Sequence, residues 1–324
     1  RVNYPSENWL ALFDNFAQFN TFDKFGIVDD AFALTFSGDL NIKLALRLIS
    51  ALEEENTYII WDTALTQLNR INKLIAREPI GANYARMILD LIEEKYAELG
   101  WPTVNAVYTP DQVKLRTLIL STAVTFGSRD AIEKSYDLFL KNVHNGEVIS
   151  PEVRSLVYRA VVHNYGEAGY YSILDRFMSN ETDSQERNRL MYALAWAKDP
   201  ALIKKSLELS LSPHIRSQDC VYFIVEVARN PYGMDLAWEF AREYYNMIVA
   251  KAGQRTVSAR LVPGVISAFN TRTRYNEAKV FFEPKGIPAL DVALEGVVAN
   301  EQFLKRSYND LRDFLKEEYD FKQH

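Results

Sequence analysis

Apolar residues recur at intervals of three and four along almost the whole chain, and that spacing permits little except packed helices. Trp9, Leu10, Phe13, Phe16 and Ala17 follow Ser6, a candidate N-cap. Leu40, Leu44, Leu48, Ile49 and Leu52 keep the rhythm up to Glu53-Glu54-Glu55. A longer helix is expected over 58–77, closed by Pro79 and Gly81. Another is expected over 85–99, with Met87, Ile88, Leu91, Ile92, Tyr96 and Leu99 on one face and Gly100-Trp101-Pro102 as its stop. Pro110 should open the next helix, with Thr109 as its cap.

In the second half the helical pieces shorten to about 12 to 18 residues, cut at turn-forming residues. The cuts fall at Gly127-Ser128, His144-Asn145-Gly146, Ser150-Pro151, Gly166, Asp199-Pro200, Ser212-Pro213 and Asn230-Pro231. Gaps this short make successive helices antiparallel neighbours. Only Val2 to Tyr4 could pass for a strand, and no consensus repeat can be written. The expected fold is therefore all-α, a superhelical stack of about sixteen helices in irregular hairpins of the HEAT/armadillo kind. Residues 1–5 read as the end of an extended segment. Residues 6–324 read as a single helical domain, because no Gly-, Ser- or Pro-rich linker divides them.

Composition removes several functions. With 48% apolar and 25% charged residues the chain is not of the disordered type. A net charge of −6 supplies no overall field for nucleic acid. No apolar run approaches the roughly 18 residues that a membrane span needs, and the first residues do not read as a signal peptide. Cys220 is the only cysteine, so no internal disulfide can form; beside Val221-Tyr222-Phe223-Ile224 it reads as a small buried side chain. His144, His163, His214 and His324 never pair at the four-residue spacing of a helical zinc site. Nucleophile-elbow, P-loop and dinucleotide patterns are absent as well. Asp29 and Asp30 would point about 100° apart on a helix, which favours a cap or salt bridge over shared chemistry. Glu53-Glu54-Glu55 and Glu93-Glu94 read as solvated faces. Asn180-Glu181-Thr182 is an acceptor sequon for N-glycosylation.

One window is different. Between Lys251 and Asn276 there is no acidic residue, yet Lys251, Arg255, Arg260, Arg272 and Arg274 lie there, giving +5 against −11 for the remainder. Gly253 should end one helix and Thr256 or Ser258 cap the next, setting Arg255 and Arg260 beside a helix N-terminus suited to an anion. Two readings stay open: a basic surface paired with acids of the same fold, or recognition of a carboxylate or acidic peptide.

Several segments, in order, resemble the last domain of the gluzincin zinc aminopeptidases, a group that includes aminopeptidase N and the endoplasmic-reticulum aminopeptidases. They are Arg1-Val2-Asn3-Tyr4 with Asn8-Trp9, 26–34 around Asp29-Asp30-Ala31-Phe32, and Glu54-Glu55 with Tyr58 and Trp61. Further on come 215–219, Asn230-Pro231-Tyr232-Gly233, Ala237-Trp238-Glu239-Phe240, Phe269-Asn270-Thr271 and Phe281-Phe282. The resemblance implies a bowl-shaped, substrate-enclosing domain, not catalytic by itself, of an enzyme that removes N-terminal residues from peptides. It implies zinc in a separate upstream catalytic domain, which would be the partner of this chain, with peptides as substrates. By position it sets the segment 255–260 in the substrate chamber, and it allows a homodimer through this domain. Two disulfides of vertebrate aminopeptidase N match Val124 or its neighbours with Ala131, and Arg159 with Trp196; both bridges are missing here. The family favours a membrane-anchored extracellular or secretory-lumen setting, while the missing bridges leave a cytoplasmic one open. The competing reading is a free-standing helical-repeat scaffold for a protein partner; an enzyme complete in this chain is opposed by the missing motifs.

Overall fold

A computed structural model of the protein describes residues 1–103, 106–179 and 183–319. Among these residues there are eighteen α-helical segments and no strand. The glycosylation sequon at Asn180 and the last histidine, His324, lie outside the described residues.

The chain divides into two compact units, 1–128 with 301–324, and 129–300. The first contains α1 (Ser6–Asp14), α2 (Thr21–Ser37), α3 (Ile42–Arg47), α4 (Tyr58–Ile75), α5 (Gly81–Leu99) and α6 (Pro110–Thr125). The second opens with α7 (Arg129–Asn145), α8 (Arg154–Asn164), α9 (Gly166–Met178), α10 (Ser184–Leu194), α11 (Pro200–Leu211) and α12 (Ser217–Arg229). It continues with α13 (Met234–Glu243), α14 (Tyr245–Ala252), α15 (Gln254–Thr256), α16 (Val262–Ile266) and α17 (Arg272–Phe282). The last helix, α18 (Leu290–Tyr319), belongs to the second unit as far as Asn300 and to the first from Glu301.

In the first unit α2 packs on α4, α4 on α5 and α6, and α5 on α6. Its helix ends follow local chemistry. Thr109 and Gln112 form a reciprocal capping box with Pro110 in the first turn, as the sequence leads one to expect. Ser6, by contrast, is the first helical residue and Pro5 occupies the cap position, with no side-chain cap bond. The stretch Arg1–Pro5 is not helical. It is tied to α2 instead: Arg1 Nη1 contacts Asp29 Oδ2 at 2.7 Å and Asp30 Oδ1 at 3.0 Å, and the Val2 N–H donates to Asp30 Oδ2. Adjacent carboxylates thus do share one partner, because a long arginine reaches across both.

Glu55 overturns the expectation of a solvated acidic face. It is 6% exposed, accepts from Lys24 Nζ at 2.8 Å and from the backbone N–H groups of Asn56 and Thr57, and caps the chain before α4. Burial pushes its carboxyl up, but the bonds from Lys24 and Thr57 outweigh this and hold it below the usual range. Glu93 and Glu94 are exposed, as expected.

The second unit repeats one device. Sequence neighbours pack on each other, and so do next-but-one helices: α8 on α10, α10 on α12, α12 on α14, and α11 on α13. That is the packing of stacked hairpins. Two buried asparagines brace successive hairpins in the same way. Asn230 Nδ2 donates to the carbonyls of Ala195 and Ala197, the latter 33 residues back. Asn300 Nδ2 donates to those of Ser267, also 33 residues back, and Phe269. Each amide satisfies carbonyls left over at a helix end, where water cannot reach. The hairpins close tightly at Gly169 and Gly233, where an added Cβ would stand 2.4 and 2.5 Å from the Val161 and Val227 carbonyl oxygens.

Aromatic side chains fill these cores. Trp9, Trp61 and Trp238 are fully buried, and Trp238 meets Phe269, Phe281 and Phe282 edge-on. Val124 and Ala131, matched by the resemblance to one missing disulfide, are both buried. Arg159 and Trp196, matched to the other, are in contact: the guanidinium lies 3.4 Å from the indole centroid. At these positions the contact is a cation–π stack.

Candidate functional site

The basic window folds around a single rod. Gly253 ends α14 with φ +83°, a conformation that side-chain-bearing residues rarely adopt, and α15 begins at the very next residue. Helix then runs without a break through an i→i+5 turn at Val257–Leu261 into α16. The cap expected at Thr256 or Ser258 is therefore not one: both lie inside the helix, and Arg260 is in its second turn, beyond the free N–H groups. The wide turn ends just before Pro263, which lacks the N–H that the preceding turn would need. The Val262 N–H reaches back to the Val257 carbonyl.

Val257, Leu261, Val262, Val265 and Ile266 are buried, against α12 among others. Gly264 makes this close: a Cβ there would meet Val225 Cγ2 at 2.4 Å. With one face so pinned, Arg255, Ala259 and Arg260 are exposed. Residues five apart stand about 140° apart in an α-helix, but an i→i+5 turn brings them closer to one face.

The five cations of the window separate into two groups. Lys251 Nζ donates to the Ser212 carbonyl at 2.7 Å and to that of Leu211 at 3.4 Å, so its charge answers the C-terminal end of α11. Arg274 is half-buried and ion-paired with Asp235 and, at 2.9 Å, with Glu277. Arg272, the first residue of α17, is exposed and stacks on Tyr275. The two-residue interval points Arg272 and Arg274 to different surroundings, as helical geometry requires. Arg255 and Arg260 have no ion pair or side-chain hydrogen bond among the described residues. The reading of a basic surface paired with acids of the same fold holds for Arg274, while Arg255 and Arg260 have no such partner among the described residues.

Other candidate groups are structural. Cys220 is fully buried, and burial pushes its thiol up to about 11, away from reactivity. His163 donates from Nδ1 to the Trp196 carbonyl at 2.7 Å, and burial draws its pKa down to about 4. His144 and His214 are exposed. Among the described residues no group of three or more His, Cys, Asp or Glu side chains could hold a metal, and no helix is long and apolar enough to cross a membrane. Sequence reasoning missed Glu186, which is 4% exposed and takes the Tyr158 hydroxyl at 2.5 Å together with Arg154, Arg189 and Arg176 at 3.1 to 3.7 Å. No local signal reveals it, since Arg154 and Tyr158 lie about 30 residues away.

The family model described as the ERAP1-like C-terminal domain matches residues 1–301. The chain belongs to that family. The thyrotropin-releasing hormone-degrading ectoenzymes of Rattus norvegicus and Homo sapiens are each 30% identical to it over 327 aligned positions, 96% of this chain and 30% of those proteins. Aminopeptidase A of Gloydius brevicauda is 28% identical over 98% of this chain and 34% of its own length. Glutamyl aminopeptidase of Bos taurus is 27% identical over 97% of this chain. The chain spans about a third of the length of these relatives. The resemblance read from residue segments is thereby established, and with it the reading of this chain as a C-terminal domain of the aminopeptidase kind.

Proposed function

We propose that this domain encloses the substrate of a zinc aminopeptidase that removes residues from the amino ends of peptides, and that it takes no chemical part in the cleavage. The family match and the aminopeptidases among the relatives support this. The residues described here offer no set that would hold zinc, so no step through the metal is assigned to them. Zinc would belong to the catalytic domain of the same protein, the partner of this chain. The domain would admit peptides when the enzyme is open and help to exclude water when it is closed.

The observation that carries the reading is the exposure of Arg255 and Arg260, without an acidic partner, on the outward face of a pinned helix. A peptide that enters amino end first presents its carboxylate, or an acidic side chain, to the far wall. Arg255 and Arg260 would receive that charge and Arg272 would add to the field. Arg274 would contribute less, because Asp235 and Glu277 already hold it. A guanidinium–carboxylate contact is worth about 1.5–3 kcal/mol, less where water screens it. In the intact enzyme, Arg260→Ala should raise KM for long peptides by roughly ten-fold and leave single-residue chromogenic substrates nearly unchanged. Unchanged long-peptide kinetics in both Arg255→Ala and Arg260→Ala would return the patch to a purely structural role.

A further inference from the structure

Arg159 lies on α8 one turn before His163 and stacks flat on the Trp196 indole. Stacking engages the face of a guanidinium and leaves its five N–H groups pointing outward in the plane of the fork. Among the described residues no oxygen accepts from any of them within hydrogen-bond distance. Glu226, the acid that acts on Arg159 through space, is engaged elsewhere: Oε1 takes the Trp196 indole N–H at 2.8 Å and Oε2 takes Arg229 at 3.0 Å. Burial nevertheless pushes the Arg159 pKa down to about 10, against the pull of Glu226. Arg159 is partly exposed, and its fork, with no protein acceptor among the described residues, stays open to a ligand.

A second cation belongs to the same neighbourhood. Lys198, two residues beyond Trp196, donates to Asn164 Oδ1 at 3.2 Å and has no acidic partner among the described residues. Asn164 follows His163 on α8, so this bond holds Lys198 beside the helix that carries Arg159. Tyr232 meets the His163 ring edge-on at 5.9 Å and is 48% exposed, so the cluster reaches solvent. Arg159 and Lys198 have no ion pair among the described residues, which leaves room for an added negative charge.

We propose that Arg159, stacked on Trp196 and accompanied by Lys198 and Tyr232, is a binding site for a carboxylate group. The fork takes both oxygens in its plane, the bidentate geometry in which arginine binds planar acids best. Lys198 adds a point charge, and the two aromatic rings give the acid's carbon chain apolar walls. The site is independent of Arg255 and Arg260 and does not rest on the enclosing role proposed above.

Fluorine NMR of the intact protein carrying 5-fluorotryptophan tests this, with the Trp196 resonance assigned by Trp196→Phe. The probes are N-acetylglutamate α-amide, the uncharged N-acetylglutamine α-amide, inorganic phosphate and chloride. The glutamate probe should shift the Trp196 resonance saturably, and the glutamine probe and chloride should not. Arg159→Lys keeps the charge but loses the fork, and should weaken binding about ten-fold or more. Lys198→Met, a surface change that leaves the stack in place, should weaken it about three-fold. Undisturbed resonances of the other tryptophans check that each variant folds. No saturable shift, equal responses to glutamate and glutamine probes, a response to phosphate alone, or unchanged binding in Arg159→Lys together with Lys198→Met would each overturn the assignment.

Discussion

Two groups of arginines in the second unit meet opposite fates. Arg154, Arg176 and Arg189 converge on Glu186, which is buried beneath them and also bonded by Tyr158. Arg255 and Arg260 stand on the exposed face of the rod over 254–266, with no acid in reach among the described residues. The difference lies in one carboxylate, not in the arginines. A guanidinium wrapped around a buried acid is part of the fold, because removing either partner strands the other. A guanidinium without one is available to a ligand. Arg274 shows that the rule operates residue by residue, since it sits in the same basic window as Arg260 yet is paired.

The contrast breaks most visibly at Glu186. Glu186→Ala should destabilise the protein by about 3 kcal/mol, at the lower end for a buried pair because the arginines keep some solvent contact. Urea unfolding measures this, and a loss below about 1 kcal/mol would mean that the cluster is incidental. Burial alone would raise the Glu186 pKa, but the bonds from Tyr158, Arg189 and Arg154 more than offset it. Its contribution is therefore complete above the usual carboxylate value of 4.5 and is lost as the pH falls below it.

His163 acts over a higher window. Burial draws its pKa from 6.5 to about 4, so protonation favours the unfolded chain. Its share of stability is present above about pH 6.5 and is lost as the pH falls toward 4. His163→Gln should flatten the stability curve between those values, and an unchanged slope would show that the ring is not the titrating group.

Smaller effects sharpen the comparison within the basic window. Arg274→Ala removes the ion pairs to Asp235 and Glu277 and should cost about 0.5–1 kcal/mol, given the partial exposure of all three. Arg255→Ala and Arg260→Ala should stay within about 0.5 kcal/mol of the parent in the same thermal or urea measurement. Equal losses in all three variants would erase the distinction between bound and available arginines.

Which parts of this could be read in the sequence follows from how far each signal reaches. A cap made by a neighbour was legible, Thr109 before Pro110. The all-helical fold was legible too, because three- and four-residue spacing is local. Burial of Glu55 was not, since Lys24 approaches from 31 residues away. The pairing of Arg274 with Asp235, 39 residues distant, was equally hidden. The wrong N-terminus at Thr256 or Ser258 has another cause: a glycine with positive φ let two helices abut without any capping side chain. The repeat was masked because what recurs is an amide bracing carbonyls, at Asn230 and Asn300, and not a consensus of apolar residues.

The central claim, that an exposed arginine of the 254–266 rod receives the far end of a peptide, is tested most directly by a double cycle in the intact enzyme. Arg260→Ala is one change and amidation of a long peptide's carboxyl end is the other, with kcat/KM measured for all four combinations. The account predicts that each change alone lowers kcat/KM by roughly ten-fold and that the second adds little once the first is made, a coupling near 1.4 kcal/mol. Two independent, fully multiplying effects, or none from Arg260→Ala on the free-acid peptide, would contradict it.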